Sequence, residues 1–225
     1  MQQKNLKAIL FDFDGTLMDT IPLIVESYQY VYRKYCNREV SRAEIVAGIG
    51  LPLESIFAAE GEERAKELLT AYLDYNRPRL ATGVGIYLGI GPMLEALAEL
   101  DLALGIVTAK RGSDLAPTLE AFDLKKYFDV IVSKFDTTEH KPNPAPLNLA
   151  MEKLGLTKAE EILYIGDAVY DIQAAKNGGF ASGLVAWSET AESTRESEQP
   201  DYFFKSPEEI VNYAKAAIAA NFGKD

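Results

Sequence analysis

Cysteine, histidine and tryptophan each occur once in this 225-residue chain, and basic residues are outnumbered by acidic ones, 23 to 34. A single cysteine, Cys36, excludes an internal disulfide and fits a reducing compartment. No histidine or carboxylate stands at ligand spacing from it, so Cys36 reads as a core or partly buried thiol. The net charge of -11 excludes nucleic acid as the main partner, because binding a phosphate backbone needs a basic footprint. A small phosphorylated molecule needs only a few local cations and stays open. No apolar run approaches the ~20 residues of a membrane span. The polar residues 1–7 also lack the apolar h-region of a secretory signal. The expectation is a cytoplasmic protein with neither membrane nor nucleic-acid partner, monomeric or homodimeric. What is present, 48% hydrophobic and 25% charged residues, is ordinary for a globular chain with room for one domain and a smaller insert.

From about Gly91 onward, short apolar runs alternate with amphipathic patterns. Residues 8–11, 102–107, 130–133, 162–165 and 183–186 read as strands. Met93, Leu94, Leu97 and Leu100, then Leu147, Ala150, Met151 and Leu154, recur at helical spacing. Gly91-Pro92 opens the first of these helices and Gly155 closes the second. Such alternation means an α/β fold, a parallel sheet with crossover helices. Residues 17–88 differ: Ile24, Tyr28, Val31 and Tyr35, and Ala65, Leu68, Leu69, Tyr72 and Leu73, keep helical spacing, and no strand pattern emerges. This predicts an all-helical insert, with core segments 1–16 and 89–225 and the glycine-rich 83–91 as return hinge. Residues 188–199, rich in Ser, Glu and Thr, read as an exposed loop. A closing amphipathic helix begins at Ser206-Pro207.

Open α/β sheets place ligands at the carboxyl ends of their strands, and four such ends carry chemistry. The first strand runs into Asp12-Phe13-Asp14-Gly15-Thr16. An unpaired buried carboxylate is costly, so the pair belongs at the strand's tip. Side chains at i and i+2 share a face, which lets Asp12 and Asp14 converge on one ion and one reacting group. Gly15 allows a sharp turn and leaves its amide open to an anion. The next ends supply Thr108-Ala109-Lys110, then His140-Lys141-Pro142-Asn143-Pro144, then Gly166-Asp167 with Asp171 four residues on. One carboxylate at a strand end is ordinarily a helix N-cap. Three acidic positions, a hydroxyl and a lysine at successive ends make an inventory for phosphoryl transfer. Carboxylates hold a hard cation such as Mg²⁺. Lysine, hydroxyl and backbone donors stabilise phosphoryl oxygens, and one carboxylate remains as nucleophile.

In that order and at those strand ends, the motifs resemble the haloacid dehalogenase-like hydrolase superfamily. These are aspartyl-phosphate phosphatases with a Rossmann-like three-layer core and, here, a helical cap inserted after the first motif. The likeness spans essentially the whole chain and is similar to the phosphoglycolate phosphatase and pyrophosphatase subgroup. It implies Asp12 as nucleophile and Asp14 as the proton donor and acceptor, with the Asp14 backbone carbonyl reaching the metal. It implies that Thr108 binds phosphoryl oxygens with the backbone near Phe13, Gly15 and Ala109, while Lys141 pairs with Asp12 and the phosphoryl group. Asp12, Asp14 and Asp167 would hold Mg²⁺, with Asp171 either a ligand or an anchor behind it. True dehalogenases lack a carboxylate at the position of Asp14, so phosphate chemistry is implied. Ala168 departs from the Ser or Thr common in relatives, and Asn177-Gly178-Gly179 from an alanine-glycine pair.

In such proteins the cap closes over the site and selects the substrate, a small phosphorylated metabolite. Residues 48–53, Gly-Ile-Gly-Leu-Pro-Leu, are either a loop dipping to the site or a plain helix connection. Lys34, Arg42, Arg77 and Arg79 are candidate cap cations, none assigned to substrate. His140 reads as a loop residue without chemical duty, and Trp187 as packing under the loop after it. Two alternatives share the aspartyl-phosphate chemistry: an inorganic pyrophosphatase, which 107–110 and 186–188 also resemble, and a sugar phosphomutase of the β-phosphoglucomutase type. A non-catalytic protein on this fold is disfavoured by the intact Asp12, Asp14, Lys141 and Asp167.

Overall fold

Alternating faces of the first strand set the layers of the molecule. Ile9 and Phe11 are buried on one side of it, Ala8 and Leu10 on the other, as the two-residue repeat of a strand requires. The computed structural model describes residues 5–51 and 53–222. Residues 1–4 of the polar leader, Pro52 of the 48–53 turn and the final positions 223–225 lie outside the described residues.

The strands are β1 (Ala8–Phe11), β2 (Met18–Asp19), β3 (Gly85–Ile86), β4 (Ala103–Val107), β5 (Val130–Val132), β6 (Ile162–Gly166), β7 (Ala181–Val185) and β8 (Tyr202–Phe204). The helices are α1 (Ile21–Cys36), α2 (Arg42–Val46), α3 (Leu53–Phe57), α4 (Glu62–Asn76), α5 (Ile90–Ala98), α6 (Gly112–Ala121), α7 (Ala145–Lys153), α8 (Val169–Gly178), α9 (Ala191–Glu198) and α10 (Pro207–Phe222). Six strands form one parallel sheet in the order β5-β4-β1-β6-β7-β8. Apolar side chains of α5, α6 and α10 pack on the face of Ile9 and Phe11, and those of α7 and α8 on the face of Ala8 and Leu10. The result is a three-layer α/β core with crossover helices.

Between β2 and β3 the chain makes α1 to α4, which bury a core of their own. Tyr28 lies at its centre, its ring 5.3 Å from that of Phe57 and 4.7 Å from that of Tyr72.

Several expectations are corrected. The 17–88 stretch contains strand after all: β2 and β3 pair antiparallel, Met18 with Ile86, where the chain leaves the sheet and returns. Leu17, Met18, Ile86 and Tyr87 pack with the main core. Part of 188–199 is helix α9, and β8 is an additional edge strand. Both fell below the sequence signal, since α9 is largely polar and β8 has three residues. Trp187 is anchored against the main core. Its indole N–H donates to the Thr16 carbonyl at 2.9 Å, and its ring lies beside Tyr87.

Candidate active site

Strand register brings the motifs level. Phe11 pairs with Ile106 on one side and Ile165 on the other. One step further along the sheet, Asp12 therefore stands between Val107 and Gly166, with Thr108 and Asp167 just beyond. The central strand carries the first motif, and its neighbours carry the second and fourth.

Lys141 joins them from the loop before α7. Its ammonium donates to Asp12 Oδ1 at 2.9 Å, to Asp171 Oδ1 at 2.6 Å and to the Tyr164 hydroxyl at 3.0 Å, with all four residues buried. Burial works against the charge on Lys141, but Asp12 and Asp171 outweigh it and hold the ammonium well above its ordinary range. Asp171 Oδ1 also lies 2.9 Å from the Tyr164 hydroxyl, while Oδ2 accepts from the amides of Asp167 and Ala168 at 3.2 and 3.0 Å. Both oxygens of Asp171 are thus engaged by protein donors, and through them it fixes Lys141 and the turn of Asp167.

Asp167 is held from the far side. Its Oδ2 accepts from Ser188 Oγ at 2.6 Å and Thr190 Oγ1 at 3.0 Å, and its Oδ1 from Thr16 Oγ1 at 3.3 Å. Gly15 has a φ of +84°, and a Cβ placed on it would lie 2.3 Å from Asp167 Oδ2. Glycine is required there both by the left-handed backbone and by the approach of the carboxylate.

Asp14 turns away from this cluster. Its two oxygens accept from Lys110 Nζ at 2.9 and 3.1 Å in a largely buried pair. The Oγ1 of Thr108 accepts from the Lys110 amide at 3.2 Å, so its own O–H remains to donate to a ligand. The Phe13 ring is buried in the main core.

The electrostatics test whether a cation fits. Asp12, Asp167 and Asp171 each bring a carboxylate oxygen within 4.8 Å of the other two, all buried, against the single charge of Lys141. Burial pushes the Asp12 carboxyl up to about 8; Lys141 pulls against that shift, and Asp171 and Asp167 add to it. Burial and Asp171 push Asp167 up to about 7 against the pull of the Ser188 and Thr190 hydroxyls. An all-oxygen, anion-rich, buried donor set of this kind suits a hard divalent ion such as Mg²⁺.

The sequence pattern of haloacid dehalogenase-like hydrolases matches residues 9–185. The chain belongs to that family. It is 32% identical over 212 residues to pyrophosphatase PpaX of Bacillus velezensis, covering 94% of this chain and 98% of that protein. Among solved structures, a predicted phosphatase from Clostridium acetobutylicum superposes with a TM-score of 0.82 at 28% identity, covering 94% of this chain and 99% of that one. A predicted phosphoglycolate phosphatase from Haemophilus somnus gives a TM-score of 0.82 at 25% identity, covering 93% and 98%.

In this haloacid dehalogenase-like hydrolase, one cavity runs from Asp12, Asp14, Thr108 and Ala109 to the helices inserted between β2 and β3. Gly48, Ile49, Gly50 and Leu51 line it, so of the two readings of 48–53 the loop reaching the site is the one the structure supports. The opposite wall is mostly apolar, with Ile24, Tyr28, Leu53, Ile56, Tyr72 and Leu73 around Asn76. None of the four candidate cap cations lines it. Arg42 pairs with Glu189 and Arg77 with Asp114, Arg79 stacks on Tyr75, and Lys34 donates to the Tyr30 hydroxyl. His140 stays in its loop, its imidazole pushed down by burial and by Lys134.

Sequence reasoning gave no role in the site to Lys110, Tyr164, Ser188 or Thr190. Two signals were available. Tyr164 is the one polar tip in an otherwise aliphatic strand, and Ser188 and Thr190 follow β7 just as the other motifs follow their strands.

Proposed function

We propose that this hydrolase is a Mg²⁺-dependent phosphatase that cleaves a small phosphorylated metabolite through an aspartyl-phosphate intermediate. The observation that carries this reading is the buried cluster of Asp12, Asp167 and Asp171 around Lys141, with Asp14 two residues from Asp12 in the same cavity. The family's chemistry and the relatives named as phosphatases support it.

Asp12 attacks phosphorus with its carboxylate. Lys141, 2.9 Å away, offsets the charge of two anions that must meet. Thr108 donates its hydroxyl to the phosphoryl group, with backbone amides near Phe13, Gly15 and Ala109. As the ester bond breaks, Asp14 gives a proton to the departing oxygen; it then takes one from the water that hydrolyses the aspartyl-phosphate. Lys110 holds the Asp14 carboxylate in the resting site, so Asp14 takes up the proton it will donate, and parts from Lys110, before the ester bond breaks. Asp12, Asp167 and the Asp14 carbonyl would hold Mg²⁺, which when bound neutralises carboxylate and phosphoryl charge. Asp171 keeps Lys141 and Asp167 in place.

The half-buried Cys36 supports a cytoplasmic setting. Among the described residues no helix is long and apolar enough to cross a membrane.

Pyrophosphate is the second reading, favoured by the likeness to pyrophosphatase PpaX along almost the full length of both chains. The test is phosphate release from a panel of phosphorylated metabolites that includes pyrophosphate and phosphoglycolate, with Mg²⁺ and with chelator. Mg²⁺-dependent release from one or a few members is expected. Isomer formation from a sugar monophosphate without free phosphate would instead make the protein a mutase.

A further inference from the structure

The inserted helices meet the sheet domain on both sides of Asp167. On one side, Gly50 lies against the residues that follow Asp167. A Cβ added to Gly50 would stand 3.3 Å from the Ala168 Cβ and 3.2 Å from Tyr170 Cδ2. The small side chain of Ala168 leaves room for this approach.

On the other side, Arg42 at the start of α2 forms a two-pronged pair with Glu189. Nε donates to Oε2 at 2.8 Å, and a terminal guanidinium nitrogen donates to Oε1. Glu189 has Ser188 on one side of it in the chain and Thr190 on the other. Both of those side chains are buried with their hydroxyls on the Asp167 carboxylate, at 2.6 and 3.0 Å. Thr190 Oγ1 also lies 2.6 Å from the Asp167 backbone carbonyl. A turn of three residues thus grips a cap arginine with its middle member and a site carboxylate with its outer two. A shift of Arg42 beyond the reach of the Glu189 side chain passes through the shared backbone to Ser188 and Thr190.

We infer that Arg42 and Glu189 are positioning residues for Asp167, so that docking of the cap and binding of a divalent cation favour each other. The inference rests on Asp167 being a metal ligand. The direction of coupling follows from reciprocity: if a seated cap steadies the carboxylate that receives the cation, the bound cation must in turn steady the seated cap. The pair is half-exposed, so the effect is modest. Its geometry is nonetheless the fork-to-fork kind that orients as well as attracts.

The test uses Mg²⁺ alone with the full-length protein and its variants Arg42→Ala, Glu189→Ala and the exchange Arg42→Glu with Glu189→Arg. Calorimetry should show Mg²⁺ affinity about two- to fivefold weaker in each single variant, the range expected for an exposed ion pair, and largely restored in the exchange. Amide hydrogen exchange in α2 should slow on adding Mg²⁺ to the wild type, and should not respond in the single variants. Wild-type affinity in both single variants overturns the coupling, as does a loss that the exchange fails to restore. A wild-type protein that binds no Mg²⁺ is a different result: it removes the metal site itself, and the coupling with it.

Discussion

At the scale of single residues, the site depends on unequal neighbours. Asp12 and Asp14 leave the same strand end, yet one meets Lys141 in the buried cluster and the other meets Lys110 in the cavity. In the proposed mechanism Asp12 attacks and Asp14 moves the proton, and their different partners keep the two carboxylates apart. Asp12→Asn keeps the shape and removes the nucleophile, since an amide is a poor one. It should lower phosphate release at least about a thousandfold, in line with losses seen when a nucleophile is removed. Its circular dichroism spectrum should match that of the wild type, because the neighbours that hold residue 12 are unchanged. Turnover within about tenfold of wild type would take Asp12 out of that role. Much of this was legible in the residues, because Asp12, Asp14, Lys141 and Asp167 are charges where a strand end has little other use for them. Lys110, Ser188 and Thr190 were not. Lys110 is 96 residues from Asp14 in the chain, and Ser188 and Thr190, though they follow β7 as the other motifs follow their strands, mark a site only with Asp167 in view.

Secondary-structure elements were legible in proportion to their length and to how much apolar surface they bury. The strands β1, β4 and β6 are buried on both faces and read as unbroken apolar runs. The ribbon of β2 and β3 has two residues a side, and α9 presents Ser, Thr and Glu in place of an apolar stripe; no periodicity exists in either to be read. The 48–53 turn shows how an element becomes functional through where it lands. Gly50 has a φ of +96°, and a Cβ on it would crowd Ala168 and Tyr170 by a few tenths of an ångström. Gly50→Ala should push this turn off its seat while leaving the buried core between α1 and α4 untouched. The expected result is a KM raised by about three- to tenfold with a smaller change in kcat, as for a lid that closes less often. It would be measured on the best substrate of the phosphate panel. An unchanged KM would mean that the turn borders the cavity without acting on what enters it.

For the whole molecule, the cost of the site is a matter of charge. The folded chain buries Asp12, Asp167 and Asp171 around one lysine, in a protein that already carries a net charge of -11. Without a cation, the folded state keeps protons that the unfolded chain gives up. Burial raises Asp12 to about 8 and Asp167 to about 7, whereas an unfolded aspartate titrates near about 3.9. Between those limits the native state binds more protons than the unfolded one, so its stability falls as pH rises and the loss levels off above about pH 8. His140 works in the opposite direction: burial and Lys134 lower its imidazole, so its contribution grows with pH. Comparison with Asp167→Asn isolates the carboxylate, because His140 is common to both proteins. In chelator, thermal unfolding should show the variant gaining on the wild type from about pH 4 to about pH 7. Added Mg²⁺ should raise the wild-type Tm most at the upper end of that window, where fewer protons compete for the carboxylates, and should raise that of Asp167→Asn far less. A gap between wild type and variant that stays constant across the window would mean that Asp167 is already ionised when the metal is absent. The network of Lys141, Ser188, Thr190 and Thr16 would then be stabilising its charge more strongly than burial opposes it.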